Sequence, residues 1–214
     1  SPVAPYSDFA ALEKSKQYRC KTCHGYEYVG VEFYGGSLMG AADNATLEQI
    51  QASIKDGGTL SFGELKDVPV HNFGADAVPL ASRLSAADIA DLANFIKYGV
   101  LNVEEYFFSF SPIGLGDSKK GQELFGANQA GCATSACHGD LGKNIDFADG
   151  NLVTVPNEFV GTIGQDDPAE MLHKVRFGNA GTTPMPGIYK DATLGFTTQD
   201  AVDIMTYTQQ LPRL

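Results

Sequence analysis

The sequence predicts a mainly α-helical chain of two tandem units, each a few helices folded around one loop that carries cysteines and a histidine. Three observations carry this expectation. A Cys…Cys-His-Gly pattern occurs first at Cys20-Lys21-Thr22-Cys23-His24-Gly25 and again, 112 positions later, at Cys132-Ala133-Thr134-Ser135-Ala136-Cys137-His138-Gly139. Around each copy the same order recurs: helix, Cys/His motif, loop, helix, proline-flanked loop, helix. The length of 214 residues suits two domains of roughly 100 residues each. These boundaries fall at 1–100 for the first unit, 101–116 for a connector and 117–214 for the second.

The elements follow from local signals. Ser7 can cap a helix over 7–18 that presents Phe9, Leu12 and Lys16 at helical spacing. Gly25 to Gly40 is aromatic and glycine-rich without a clear period, and reads as loop. Thr46-Leu47-Glu48-Gln49 is a capping-box signature opening a helix to about Lys55, stopped by Gly57-Gly58. Residues 59–83, with Val68-Pro69-Val70-His71, read as irregular. Ser85-Ala86-Ala87-Asp88 opens a helix with Ile89, Leu92, Phe95 and Ile96 inward, ended by Gly99. The connector carries Tyr106-Phe107-Phe108, too aromatic for a disordered linker, and its rings are expected to pack between the halves. Asp117 or Ser118 then caps a helix to about Phe125. Beyond the second motif a long loop reaches Asp167-Pro168, an N-cap and first-turn pair. The helix through Met171, Leu172 and Val175 ends at Gly178, and Thr197 or Thr198 caps a last helix with Val202, Met205 and Tyr207.

The chemistry of the repeated pattern is specific. Cys-x-x-Cys-His is the spacing of a c-type haem attachment site: two staggered thiols reach the vinyl groups of one rigid ring, and the adjacent imidazole falls beneath the iron. The second copy has four residues between its cysteines, which a bulged loop can still bring together. Other uses of such cysteines are a zinc half-site, a redox dithiol or a disulfide framework. Zinc would need further ligands at matching spacing, a thioredoxin-like dithiol a βαβ pattern, and a disulfide framework leaves the repeated His-Gly unexplained. Two covalent haems, each with iron, are therefore expected. Cys20, Cys23, Cys132 and Cys137 bind the rings, and His24 and His138 are the proximal ligands.

The remaining axial position can be filled by thioether or imidazole, or stay open. Met185 lies 47 residues after His138, and His71 lies 47 residues after His24, each in the loop before the last helix of its half and just past a proline. Met185, held between Pro184 and Pro186, is better placed as a ligand than as a flexible core filler. His71 is the corresponding candidate for the first iron, with Met39 and an open position as alternatives. Arg176 can donate to a haem propionate as a bidentate pair or stand as an exposed helix arginine. His173 contacts a propionate or has no functional role.

Taken with CKTCHG at 20–25, CATSACHG at 132–139, TPMPG at 183–187 and the terminal helices opening at Ser85 and Thr197, the chain resembles a dihaem, two-domain member of the class I cytochromes c. The resemblance covers nearly everything outside the connector. It implies two tandem class I cytochrome c domains, Cys20 and Cys23 on one haem with His24 proximal, and Cys132 and Cys137 on the other with His138 proximal and Met185 distal. Two features depart from the family pattern: the four-residue gap in the second motif, and the absence of a distal methionine where the first half offers His71.

Composition narrows the partners. With 26 acidic against 15 basic residues the formal charge is −11, and both halves are acidic. Nucleic acid, which needs clustered Lys and Arg, is excluded as a partner, whereas a redox protein with a basic docking surface is compatible. No apolar run reaches the roughly 18 residues of a membrane span. Ser1-Pro2-Val3-Ala4-Pro5 has no signal-peptide character; the resemblance implies a periplasmic protein from which a leader has been removed, since covalent haem attachment in bacteria is extracytoplasmic. The expected function is electron transfer between redox partners, with the first haem His/His and the second His/Met ligated, and hence with the second at higher potential. The alternatives are a haem enzyme whose open first iron acts on peroxide, nitrite or a sulfur anion, and an electron-transfer subunit of a larger dehydrogenase complex.

Overall fold

The computed structural model describes residues 20, 24–30, 37–56, 59–62, 65–69, 82–107, 111, 113–126, 129–134, 137–143, 159–179, 185–190 and 194–213. It is mainly helical and divides into two compact units, Ser1–Asn102 and Val103–Leu214.

In the first unit, Ser37 caps α1 (Leu38–Asn44) by accepting from the Gly40 amide. This corrects the expectation that everything from Gly25 to Gly40 is loop. The helix is short, and tertiary bonds hold it at both ends. The Tyr28 carbonyl accepts from the Leu38 amide at 2.8 Å, and Lys97 Nζ donates to the Ala42 and Ala45 carbonyls at 2.6 and 2.9 Å. The capping box at Thr46 forms as expected, with reciprocal bonds to Gln49, and opens α2 (Leu47–Asp56). Ser85 and Asp88 do the same for α3 (Ala86–Asn94). Ile50 and Ile54 of α2 are buried against Ala93 of α3, with Leu47, Leu84, Ile89, Leu92 and Ile96 around them. The chain then widens into a π turn over Phe95–Gly99, where the Val100 amide reaches back to the Phe95 carbonyl at 3.1 Å.

The stretch 59–83, read as irregular, contains an antiparallel hairpin of β1 (Thr59–Phe62) and β2 (Leu65–Pro69). Its register pairs Phe62 with Leu65 and Thr59 with Pro69, and slips between Leu60 and Ser61. That irregularity breaks the two-residue alternation by which a strand is read from sequence. The helix expected over 7–18 lies outside the described residues.

The second unit is built around α7 (Thr198–Thr208), opened by a Thr197–Asp200 capping box and buried from Asp200 to Thr208. Three helices pack on it: α4 (Ser118–Phe125), α5 (Val160–Asp166) and α6 (Pro168–Phe177). Asp117 caps α4, and Asp167 caps α6 with Pro168 in the first turn, both as the sequence leads one to expect. α5 falls inside what reads as a long loop and corrects that expectation. Its Gly161 and Gly164 are poor helix formers, so local propensity hides it. Each nonetheless lets the helix lie close to the C-terminal end of the chain: a Cβ on Gly161 would collide with the Pro212 and Leu211 carbonyls, and one on Gly164 would meet Thr208.

Within the stretch expected as connector, residues 103–106 form a 3₁₀ turn, and residues 114–117 run along α7. The Gly114, Gly116 and Asp117 amides donate to Gln209 Oε1, Thr206 Oγ1 and Asp203 Oδ1, each at 2.9 to 3.0 Å. Side chains three apart on one helix face thus supply the acceptors that a neighbouring strand would otherwise supply.

Candidate functional site

The second Cys/His motif lies in the second unit. Its loop begins where α4 ends, and the Phe125 carbonyl accepts from the Ala133 amide at 2.9 Å, tying the loop to the helix. Inside the loop, the Thr134 carbonyl accepts from both the Cys137 and Gly139 amides, at 2.9 and 3.0 Å, and the His138 amide donates to the Cys132 carbonyl at 3.0 Å. Those bonds fold the longer Cys132–Cys137 spacing back on itself. Gly131, Gly139 and Gly142 have φ of +73°, +67° and +65°, the left-handed turns this folding needs.

The result brings the two thiols into one neighbourhood. Cys132 is half-buried; desolvation first, and the proximity of Cys137 second, push its thiol up to about 11. Neither forms a disulfide, nor does the exposed Cys20. The His138 imidazole is half-buried and lies beside the Phe125 ring, with centroids 6.4 Å apart and planes at 27°. Phe125 packs in turn on Tyr207 of α7 at 5.5 Å. Two thiols on one folded loop, the second followed at once by a half-buried imidazole, are a donor set that fits a c-type haem.

Met185 sits on β4 (Met185–Pro186), which pairs with β3 (Gly178–Asn179) directly after α6, Asn179 opposite Met185. A Cβ on Gly178 or on Gly187 would run into the opposing backbone, so the two short segments are locked together. The half-buried Met185 is therefore held by backbone pairing, with Pro186 beside it on the same strand, while Pro184 lies outside the described residues. Arg176, expected either at a propionate or exposed, is only 6% exposed. Its guanidinium lies 4.5 Å from the Phe177 ring centroid and 5.5 Å from that of Tyr189. His173 is half-buried with its ring 5.1 Å from Phe177.

In the first unit, His24 is half-buried, and its carbonyl accepts from the Gly30 amide at 3.1 Å. Between them, Gly25 (φ +69°), Tyr28 (+61°) and Gly30 (+93°) turn the chain back. For tyrosine this conformation is uncommon. Tyr28 is buried, its ring edge-on to Phe95 at 5.8 Å, and its carbonyl engaged by α1. Met39 is on α1 and half-buried, not in a glycine-flanked loop. Cys23 and His71 lie outside the described residues.

Among the described residues no three His, Cys, Asp or Glu side chains gather as a metal cluster. A haem iron calls for no such cluster, because the porphyrin supplies four of its bonds and the protein only the axial donors. Phe125 and Tyr207, the rings behind His138, stand at helical core positions in the sequence, with nothing to mark a second role. Tyr189, beside Arg176, had no local signal at all.

No family model matches the sequence, and no curated protein matches it. The chain is similar to a solved chain of the Kuenenia stuttgartiensis reducing HAO-like protein complex, at 16% identity and a TM-score of 0.31, over 94% of this chain and 97% of that one. A likeness that slight fixes neither fold nor activity. No described helix is long and apolar enough to cross a membrane.

Proposed function

We propose that the chain is an exported dihaem cytochrome c, built as two tandem class I domains, that passes electrons between protein partners. Cys20 and Cys23 would hold one haem with His24 proximal and His71 distal. Cys132 and Cys137 would hold the other with His138 proximal and Met185 distal, and Arg176 would donate to a propionate. The observation that carries this reading is the loop over 131–142, whose internal bonds gather Cys132, Cys137 and His138 despite the widened spacing. Bound haem supplies a one-electron Fe(III)/Fe(II) couple.

The chain's own residues account for the rest. The β3–β4 pairing fixes the backbone at Met185, from which its thioether would reach the iron, and thioether favours reduced iron more than a second imidazole does. The acidic surface suits partners with basic docking patches.

The test is expression in a host competent for covalent haem maturation. The expected product carries two haems that survive denaturation and acid extraction. Cys132→Ala combined with Cys137→Ala should reduce that to one. Low-temperature spin resonance should report His/His ligation at one iron and His/Met at the other, and a redox titration should resolve two steps with the second-unit haem higher. A colourless protein would overturn the proposal at its base. Rapid, stoichiometric binding of CO or cyanide to one haem would replace the carrier with an enzyme.

A further inference from the structure

We infer that the Phe125 ring, backed by Tyr207, sets the plane of the His138 imidazole and so tunes the second iron from outside its ligand set; this rests on the reading that His138 is an iron ligand.

The argument begins at Gly121. The absence of a side chain there lets α4 cross α7 at backbone distance, since an added Cβ would strike the Asp203 carbonyl and come within 2.9 Å of Tyr207 Cβ. Phe125 lies one turn further along the same face of α4, so this close crossing delivers its ring onto Tyr207. Phe125 is 3% exposed and Tyr207 9%, which leaves the phenyl ring little room to swing. From this pair the Phe125 ring meets the Cys/His loop at His138, in a near-parallel arrangement.

Phe125 reaches His138 by two routes. Its backbone is bound through the His138 amide to Cys132, and Cys132 is followed by Ala133, whose amide binds the Phe125 carbonyl. Its ring lies along the Phe125 face at 27°. The same residue therefore holds the loop by its carbonyl and the ligand ring by its side chain, and a substitution at Phe125 removes only the second. Groups that orient a metal-bound histidine tune the metal through it. For an axial imidazole the ring plane decides which iron d orbitals its π system meets, and that overlap sets both the spin-resonance anisotropy and part of the reduction potential. Phe125 and Tyr207 are positioning residues in this account.

The test compares wild type, Phe125→Leu and Phe125→Tyr as full-length, haem-loaded protein. With two haems per chain retained, Phe125→Leu should shift the largest g value and the reduction potential of the second haem while leaving the first haem unchanged. Phe125→Tyr, which keeps a ring, should return both to wild-type values. A Phe125→Leu protein with an unshifted second haem would overturn the inference. Should that variant fail to fold, the reduced, diamagnetic wild type decides by NMR. Through-space contacts between the Phe125 and His138 ring protons, with ring-current shifts on the latter, are expected, and their absence is equally fatal. A wild-type chain carrying haem on the first motif alone would instead remove the functional reading on which this inference stands.

Discussion

Gly121 illustrates how one residue carries opposite meanings at two levels. Within an isolated helix, glycine costs roughly 1 kcal/mol against alanine and reads as a weak point in α4. In the folded second unit it is the point of closest approach between α4 and α7, where a methyl group would meet the Asp203 carbonyl. Gly121→Ala should therefore lower stability by about 1–3 kcal/mol despite its better propensity, as measured by denaturant unfolding of the haem-loaded chain. Unchanged or raised stability would mean the helices do not cross there. Tyr28 shows the same contrast in the first unit. Nothing local asks tyrosine to take φ +61°; its contact with Phe95 and its bonds to α1 are made at a distance in sequence.

At the scale of elements, α7 depends on its charged neighbours. Lys120 Nζ lies 2.6 Å from Asp200 and 3.3 Å from Asp203, which is 2% exposed and also accepts from the Asp117 amide and Gln199. Burial pushes the Asp200 carboxyl up, but bonds from Lys120 and from the Thr197 amide and hydroxyl outweigh it and hold the group below its ordinary 3.8. A carboxyl lowered by folding stabilises the fold fully above its unfolded value, and that contribution disappears as pH falls through the folded one. The stability deficit of Lys120→Met should thus be greatest near neutrality and narrow as pH drops below 3.8, in denaturant melts across the acid range. A deficit independent of pH would assign the effect to packing of the lysine stem. The capping boxes at Thr46, Ser85 and Thr197 were legible because a cap is a bond between residues three apart. The helix α5 and the hairpin β1–β2 were not, because one is a glycine-rich helix held by partners at 208–212 and the other slips register between Leu60 and Ser61.

For the molecule as a whole, the net charge of −11 is the property a partner meets first. Electron exchange with a basic redox protein should slow markedly as ionic strength rises from about 0.01 to 0.15 M, as the screening length contracts from about 30 to 8 Å. Stopped-flow rates across a salt series check this; rates insensitive to salt would place recognition in apolar contacts. Cutting the chain should likewise reveal where the second unit begins. A fragment from residue 103 keeps the bonds of Gly114 and Gly116 to Gln209 and Thr206. A fragment from residue 117 loses both and should be less stable by about 1–3 kcal/mol.

The sequence by itself determined what depends on neighbours along the chain: the mainly helical character, the capped helix starts, the two Cys/His motifs and the acidic balance. Covalent spacing and hydrogen bonds between residues three apart need no tertiary partner to be legible. Only the tertiary structure decided how the widened Cys132–Cys137 spacing closes around Thr134, how Met185 is pinned by Gly178 and Asn179, and why the segment before Asp117 lies along α7. Each of those is settled by backbone groups meeting a partner that the fold supplies, a loop turned on itself, a paired strand or the side chains of a distant helix, whose free energy no single residue announces.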